Sequence, residues 1–281
     1  MKIVSDIFVI GLCGESIFME LDHITKAGET LISKGIARES GGKGFNQAIV
    51  AARMGETVSF MSAVGDDNGM EECEKCLERN GVKPILVKKE GRGTAYACIF
   101  TDKNGENCVT EYLDAELDVH DVENVRGEIA RAKYLILQNE VPAEVNRKAC
   151  KIAEENGVKI VYNPAPAREE DVYLRDKAEL VIPNEHEAEA IKCGEYKNCI
   201  KTLGAKGCII NDEIEIPSIK VKAVDTTGAG DTFCGALTAF LNKGKTLEEA
   251  ARYAVIASGI SVTRKYVVNA YPSLAEVLNY I

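Results

Sequence analysis

Two aspartates six residues apart flank a glycine-rich turn in the segment 223–233. The apolar run 233–241 follows directly and predicts a helix that begins at this turn. Unpaired N–H groups and the positive end of the helix dipole at such a start favour a bound anion, and Gly228 and Gly230 let the main chain approach it closely. Asp231 would stand beside that anion, where a carboxylate is normally repelled. It is therefore a candidate general base for deprotonating a hydroxyl that attacks a phosphate.

The same turn also has a purely structural interpretation. Aspartate frequently caps the first turn of a helix, and a glycine-rich helix start needs no ligand. The choice between the two interpretations depends on the elements that position the turn.

Strand-like and helical runs alternate along most of the chain, which indicates a mainly parallel sheet with helices on both faces. The pattern predicts strands at 7–10, 58–61, 134–137, 159–162, 180–182, 199–202 and 208–210, the last two continuing the same sheet. It predicts helices over 44–54, 66–80, 143–156, 230–242 and 246–264. We find no repeat or Pro-rich linker, so one domain over residues 1–281 is expected.

Two stretches, 17–38 and 94–112, break this alternation. Both are typical of strands joined by turns, and the segment 102–105 (Asp-Lys-Asn-Gly) is a strong hairpin signal. A hairpin that decorates the edge of the sheet is one interpretation of these stretches.

Composition limits the kinds of partner. The chain has 281 residues, of which 46% are hydrophobic, so it can bury a large core. Its net charge of −10 argues against a nucleic-acid groove, because phosphate backbones select basic surfaces. We find neither an apolar run long enough for a membrane span nor the pattern of a signal peptide at the N-terminus. A cytoplasmic protein without membrane or nucleic-acid partners is expected.

The ten cysteines are scattered, and we interpret them as neither disulfides nor metal ligands. Cys13, Cys98, Cys108 and Cys208 lie in apolar runs, where cysteine packs as a small hydrophobe. The pair Cys73 and Cys76 forms a C-x-x-C, but it lies in a charged helical stretch without a second pair of ligands nearby. Reduced thiols in a reducing compartment are expected.

The turn 223–233 closely resembles the signature of the ribokinase family, the sugar and nucleoside kinases of the phosphofructokinase B type. Further segments resemble the family in order and spacing between about residues 11 and 272: 41–55, 163–167, 183–189, 202–204 and 261–265. The resemblance implies a ribokinase-like three-layer α/β/α domain with a mainly parallel central sheet. It also implies a small β-sheet lid from segments of about 13–40 and 93–113, and such lids often pair across a homodimer. A lid suits a kinase because it excludes water as a competing phosphate acceptor.

The resemblance also implies roles for individual residues, with ATP and Mg²⁺ as cofactors and K⁺ as a further candidate. Asp231 would be the base, and the amides of Gly228, Ala229 and Gly230 would form an anion hole. The sugar-facing positions would be Gly14, Ser16, Gly41, Gly42, Lys43, Asn46, Glu140 and Asp231. The nucleotide would contact Asn184, Thr202, Gly204, Gly207 and Gly230. Glu187 would address Mg²⁺ through water, and Asp225 and Thr227 a monovalent cation.

Three of these assignments have alternatives. The run Gly41–Gly44 looks like a P-loop, but Lys43 is not followed by Ser or Thr and the glycine spacing is wrong, so we reject that fold. Glu140 follows a predicted strand, where open α/β sheets bind ligands, although an acid before Pro142 is also common at a helix start. Asn184 and Glu187 share one helix face but also nearly form a capping box.

The chain departs from the usual family pattern at two places. Where ribokinases have a sugar-binding Asn and Asp, three and five residues after the first glycine, this chain has Gly14 and Ser16. Shorter groups there predict a larger pocket and a substrate that is bulkier than ribose or lacks a hydroxyl. Tyr266 and Ala270 replace a usual Gly and a common Ser, which bears on potassium dependence.

The leading hypothesis is an ATP-dependent kinase that transfers the γ-phosphate to a primary hydroxyl of a small sugar, with a ribose-like pentose as the first candidate. A nucleoside, a ketohexose or a deoxypentose remains open as the acceptor. A non-catalytic sugar or nucleotide sensor is the alternative from another class, because a fold does not guarantee a function. An NAD-binding protein is disfavoured because the first strand is followed by no G-x-G-x-x-G.

Overall fold

A sheet of six parallel strands runs through the centre of the computed structural model, which describes residues 5–104, 106–168, 172–193 and 198–280. The strand order is β10-β9-β8-β1-β4-β5. Its strands are β1 (Ile7–Ile10), β4 (Val58–Val64), β5 (Val82–Lys88), β8 (Tyr134–Gln138), β9 (Lys159–Asn163) and β10 (Leu180–Val181). The parallel sheet expected from the alternating pattern is confirmed.

Helices cover both faces of this sheet, which gives the three layers predicted. Because side chains alternate along a strand, Ile7 and Val9 face one core while Phe8 and Ile10 face the other. The first core packs against α1 (Lys43–Arg53), α2 (Asn68–Arg79), α8 (Ala229–Asn242), α9 (Leu247–Ser261) and α10 (Leu274–Leu278). The second packs against α3 (Val119–Asn124), α4 (Arg126–Ile129), α5 (Ala143–Asn156), α6 (Val172–Lys177) and α7 (Glu185–Ala190).

Several helix ends follow from local sequence. The Asp67 side chain accepts the N–H of Gly69 and caps α2, so that helix begins two residues later than predicted. Gly157 ends α5 at φ 69°. Thr246 and Glu249 form a capping box that starts α9.

The strands after α7 do not continue the main sheet as we predicted. Strands β11 (Ile200–Thr202), β12 (Gly207–Ile210) and β13 (Ile214–Pro217) form an antiparallel sheet of their own. Isolated bridges from Val181 to Cys199 and from Asn184 to Thr202 connect it to the main sheet. Three short strands joined by tight turns pair with one another, and only isolated bridges extend from them to the main sheet.

A separate four-stranded sheet accounts for the two stretches that broke the alternation. It contains β2 (Gly14–Glu20), β3 (Gly35–Gly41), β6 (Ala95–Thr101) and β7 (Asn107–Tyr112) in the order β3-β2-β6-β7. Strand β2 pairs antiparallel with β3 and parallel with β6. This sheet, called the lid below, is a small sheet in its own right rather than a decoration on the edge of the main one. The hairpin signal lies at the β6–β7 connection, with Gly105 outside the described residues.

The prediction that no cysteines form a disulfide was wrong for one pair. Cys193 and Cys199, which lie between α7 and β11, are bonded, with Cα atoms 6.6 Å apart. Cys13 and Cys208 are buried as expected, whereas Cys108 is exposed on the lid. Among the described residues, no helix is long and apolar enough to cross a bilayer, and no three His, Cys, Asp or Glu side chains group as metal ligands.

Candidate active site

Asp231 lies in the first turn of α8 and is held by amide side chains from α1. Its Oδ2 accepts a hydrogen bond from Asn46 Nδ2 at 2.9 Å, and its Oδ1 accepts one from Gln47 Nε2 at 3.0 Å. The residue at the N-cap position of α8 is Gly228, with no side-chain cap bond. The carboxylate therefore faces another helix, and the capping interpretation of Asp231 is wrong.

The surroundings of Asp231 make it a base near neutral pH. Removal of the carboxylate from water raises its pKa to about 6, partly opposed by the positive charge of Lys43 and by the hydrogen bond from Asn46. A base with a pKa close to the working pH is mostly ionised and still accepts a proton readily.

The turn before Asp231 forms the helix start at which the anion site was expected, and within it the Ala229 N–H donates to the Thr226 carbonyl at 3.2 Å. Gly228 has φ 74°, in the left-handed region, and its carbonyl accepts the N–H and the hydroxyl of Thr232, each at 2.8 Å. A Cβ atom on Gly228 would lie 3.0 Å from Val267 Cγ1 and 3.1 Å from the Tyr271 hydroxyl. Glycine is thus required both by the backbone conformation and by the packing beneath the turn.

Glu140 and Lys43 form an ion pair beside Asp231. Lys43 Nζ lies 3.1 Å from Glu140 Oε1, and the Lys43 main-chain N–H donates to Glu140 Oε2 at 2.6 Å. Burial raises the pKa of Glu140 and would lower that of Lys43, but the charges of Glu140 and Asp231 raise the pKa of Lys43 instead. Glu140 lies two residues before Pro142, the N-cap residue of α5, and its carboxylate contacts Lys43 of α1, so the alternative of Glu140 as the acid that starts α5 is wrong.

All eight sugar-facing positions that the resemblance implied line one cavity of about 260 Å³. The lid closes one side of it with Phe18, Ile99 and Val109. Three further acids line the same cavity: Glu15, Glu39 and Glu111. The loss of Asn and Asp at positions 14 and 16 is therefore accompanied by carboxylates on neighbouring lid positions.

The expectation that a small residue at position 14 enlarges this cavity was wrong. A Cβ atom on Gly14 would lie only 2.3 Å from the carbonyl oxygen of Ala95, its pairing partner on β6. The main chain of the neighbouring strand fills the space that a side chain would need. Ser16 pairs with Glu39 on β3 and with Ala97 on β6.

A second cavity, of about 770 Å³, lies on the other side of the glycine-rich turn. Of the positions predicted to contact a nucleotide, Thr202, Gly204, Gly207 and Gly230 line it. Its other walls include the segment Pro217–Ala223 and the α9 residues Val255, Ser258 and Gly259.

A third cavity, of about 280 Å³, joins the other two. It shares Lys43, Gly228 and Asp231 with the sugar-facing cavity, and Thr202, Thr226, Ala229 and Gly230 with the larger one. Asn184, the fifth predicted nucleotide contact, lines this connection together with Glu187. The three cavities leave room for one ligand on each side of the glycine-rich turn, with Asp231 between them.

Asn184 and Glu187 form the capping box that the sequence indicated. Asn184 Oδ1 accepts the N–H of Glu187, and Glu187 Oε2 accepts the N–H of Asn184, both at 2.8 Å. Burial raises the pKa of Glu187. Each side chain uses one oxygen in the cap, and lone pairs remain on the oxygens of both side chains. Amide and carboxylate oxygens are the hard ligands that hydrated Mg²⁺ prefers. These residues therefore fit a magnesium ion bound through water.

Asp225 holds the glycine-rich turn to the segment that follows α9. Its Oδ1 accepts the N–H of Thr227 at 3.0 Å and its Oδ2 accepts the N–H of Tyr266 at 3.1 Å. Tyr266 has φ 69°, in the left-handed region that glycine adopts more readily than a residue with a side chain. Thr227 lines the sugar-facing cavity.

Sequence reasoning missed the polar network behind Asp231. Gln47 Nε2 donates to Asn163 Oδ1 at 3.1 Å as well as to Asp231, and Gln138 Nε2 donates to Gln47 Oε1 at 2.7 Å. Gln47 and Gln138 are fully buried. Gln47, which follows Asn46 in the otherwise apolar stretch Phe45–Ala52, was the available signal, since buried amides need partners.

Comparison with known proteins identifies relatives along the whole chain. The sequence model of the pfkB family carbohydrate kinases matches residues 4–274. A ribokinase of Lactococcus lactis is 34% identical over 286 residues, covering 96% of this chain and 94% of the relative. A deoxyribokinase of Salmonella typhi is 30% identical and covers 98% of each. The structure of Arabidopsis thaliana ribokinase complexed with ribose and ATP superimposes with a TM-score of 0.86, at 26% identity over 99% of this chain and 98% of that one.

Proposed function

The chain belongs to the pfkB family of carbohydrate kinases, and we propose that it transfers the γ-phosphate of ATP to the primary hydroxyl of ribose or a closely related pentose. The observation that carries this proposal is the position of Asp231, at the junction of the sugar-facing and nucleotide-sized cavities and next to the anion-binding turn. The named ribokinases among the relatives favour ribose as the acceptor.

In this proposal, Asp231 takes the proton of the acceptor hydroxyl. Asn46 and Gln47 hold its two oxygens, so the carboxylate keeps one orientation as the sugar approaches. The N–H groups of the turn Gly228–Gly230 stabilise the charge that develops on the transferred group. Glu140 orients Lys43, which lines both the sugar-facing and the connecting cavity and attracts the phosphates.

Asn184 and Glu187 would hold Mg²⁺ through water in the connecting cavity. When bound, the ion neutralises charge on the phosphates. Asp225 and Thr227 remain the candidates for a monovalent-cation site. Because two peptide N–H groups already fix the Asp225 carboxylate, we expect K⁺ to stimulate turnover only a few-fold compared with a buffer that lacks it.

The charge of the sugar-facing cavity restricts the substrate. Five carboxylates line it, Glu15, Glu39, Glu111, Glu140 and Asp231, against the single ammonium group of Lys43. Placing an anionic substrate beside surplus carboxylates costs several kcal/mol. A neutral sugar is therefore favoured over a sugar phosphate or a sugar acid.

A deoxypentose is the second candidate substrate. Ser16 stands where ribokinases have an acid that binds the sugar, and one named relative is a deoxyribokinase. A site that offers fewer polar partners to the sugar loses less binding free energy when the sugar lacks a hydroxyl.

A panel of acceptors tests the proposed function. We expect ATP turnover with ribose, deoxyribose or both, and a kcat/KM at least about 10²-fold lower with fructose 6-phosphate and gluconate, as like-charge repulsion predicts. ADP release would be measured for pentoses, ketohexoses, nucleosides and the two anionic sugars, with and without K⁺. Binding of ATP without turnover of any acceptor would contradict the kinase and favour the sensor.

We also propose a homodimer that pairs through the lid, in the cytoplasm where ATP is available. The lid carries large exposed apolar side chains outside the sugar-facing cavity, among them Ile36 and Tyr112, which a partner lid would cover. Sedimentation of the full chain, in which a stable monomer would contradict the dimer, tests this assembly.

A further inference from the structure

Glu39 connects the lid to the segment beneath the anion-binding turn. It lies on lid strand β3, and its carboxylate accepts three hydrogen bonds from residues 267–269. Oε2 accepts the N–H of Val267 at 2.8 Å and the N–H of Val268 at 3.3 Å, and Oε1 accepts Asn269 Nδ2 at 3.1 Å. One lid side chain thus satisfies two peptide groups that are more than 220 positions away in sequence.

The segment that Glu39 binds supports Gly228 directly. Val267 Cγ1 lies 3.0 Å from the position of a Cβ atom on Gly228, and the Tyr271 hydroxyl lies 3.1 Å from it. Any shift of Val267 therefore alters the space beneath Gly228. Because Gly228 opens the turn whose amides would bind the transferred phosphate, Glu39 is connected to the reacting group through two residues, Val267 and Gly228.

Glu39 is also connected to the sugar. It lines the sugar-facing cavity, pairs with Ser16 across the lid, and precedes Gly41, Gly42 and Lys43 by only a few residues. A change in lid position moves the sugar-facing wall and the Glu39 carboxylate together, since both belong to one strand.

The burial of this carboxylate indicates that its contacts matter. Desolvation raises the pKa of Glu39, and the N–H groups of the 267–269 segment oppose that shift. A second contact between the lid and the segment after α9 is an exposed ion pair. Lys265 Nζ lies 3.0 Å from Glu20 Oε1, but both side chains are at least half exposed, and exposed ion pairs contribute little.

We propose that Glu39 is a positioning residue for phosphoryl transfer: by binding the 267–269 segment it aligns the anion-binding turn with a lid seated over the sugar. This inference rests on the proposed kinase function for its kinetic consequence. The expected effect is on kcat, the rate of reaction of the enzyme with both substrates bound. Glu39 acts on this rate through Val267 and Gly228, and it does not contact the transferred group.

Glu39→Ala tests the inference, with Glu20→Ala as the matched control that removes the exposed contact between the same two parts. For Glu39→Ala we expect kcat to fall about 10- to 100-fold, as small misplacements of a reacting group typically cause, while KM for the sugar changes less than threefold. The amides of Val267 and Val268 should exchange hydrogen at least about tenfold faster, because each loses a bond to a charged acceptor. Glu20→Ala should match the wild type in both measurements.

Two results would overturn the inference. An increase in the KM for sugar with unchanged kcat would make Glu39 a sugar contact, and faster amide exchange with unchanged kcat would make its bonds merely structural. If Glu39→Ala does not fold, Asn269→Ala serves as the second variant, because it removes one of the three hydrogen bonds to Glu39. An unchanged kcat in that variant would also contradict the inference. A wild-type protein without any turnover would instead refute the proposed function, while amide exchange would still report on the Glu39 contacts.

Discussion

Replacing Asp231 by Asn is expected to lower kcat by about 10²- to 10⁴-fold, the range over which a positioned general base contributes. The amide cannot take the proton of the acceptor hydroxyl. It also presents an N–H₂ group to one of the two donors, Asn46 Nδ2 or Gln47 Nε2, that the carboxylate now satisfies. Steady-state turnover of ATP and ribose measures the loss, and calorimetry of ATP binding verifies that the nucleotide site persists.

The pH dependence of the wild type provides an independent check on Asp231. Burial raises the pKa of this carboxyl to about 6, and only the ionised form is a base. The value of kcat/KM should therefore fall as the pH decreases through about 6 and level off above it. Asp231→Ala, which avoids the mismatched amide, should show the same loss of kcat as Asp231→Asn. Turnover within tenfold of the wild type in both variants would contradict the role of Asp231 as base.

Replacing Gly228 by Ala is expected to lower kcat by about 10²- to 10³-fold, as the loss of an anion-hole donor does in other enzymes. The added Cβ meets Val267 Cγ1 at 3.0 Å and the Tyr271 hydroxyl at 3.1 Å, and the backbone at φ 74° disfavours alanine. The turn must therefore shift, and its amides shift with it. Initial rates at saturating ATP and sugar measure this effect.

Gly244→Ala is the matched control for Gly228→Ala. Gly244, just beyond the other end of α8, has φ 80°, yet a Cβ atom there meets nothing within 4 Å. The Gly244→Ala substitution should lower the free energy of unfolding by about 1 to 2 kcal/mol, the cost of a non-glycine residue in the left-handed region. It should leave kcat unchanged. Equal kcat values for the two variants would show that the position of the Gly228 turn does not limit the reaction.

The parts of the site that are local in sequence could be predicted. The turn before α8 contains its own glycines, its acid and its apolar helix, so its anion-binding geometry needs no distant information. Asn184 and Glu187 form their capping box for the same reason. The alternation of strands and helices similarly determines the parallel sheet, because a parallel connection needs a crossover helix.

Features that depend on strand register could not be predicted. Gly14 suggested a larger pocket, but Ala95 on the paired strand occupies the space. Glu39 reads as an ordinary polar residue of β3, and its partners at 267–269 become visible only when the lid is placed against the segment after α9. The separate sheet β11–β13 was missed because the length and polarity of a short strand do not specify its partner.

Identification of the product tests the central claim most directly. The full chain would be incubated with ATP, Mg²⁺ and ribose, and the phosphorus-31 spectrum recorded with proton coupling. We expect one new phosphomonoester signal split into a triplet by the two protons of a CH₂ group, formed in equal amount to ADP and absent with Asp231→Asn. Release of inorganic phosphate at a rate independent of the sugar, or a signal from a phosphate on a secondary hydroxyl, would contradict transfer to the primary hydroxyl by Asp231.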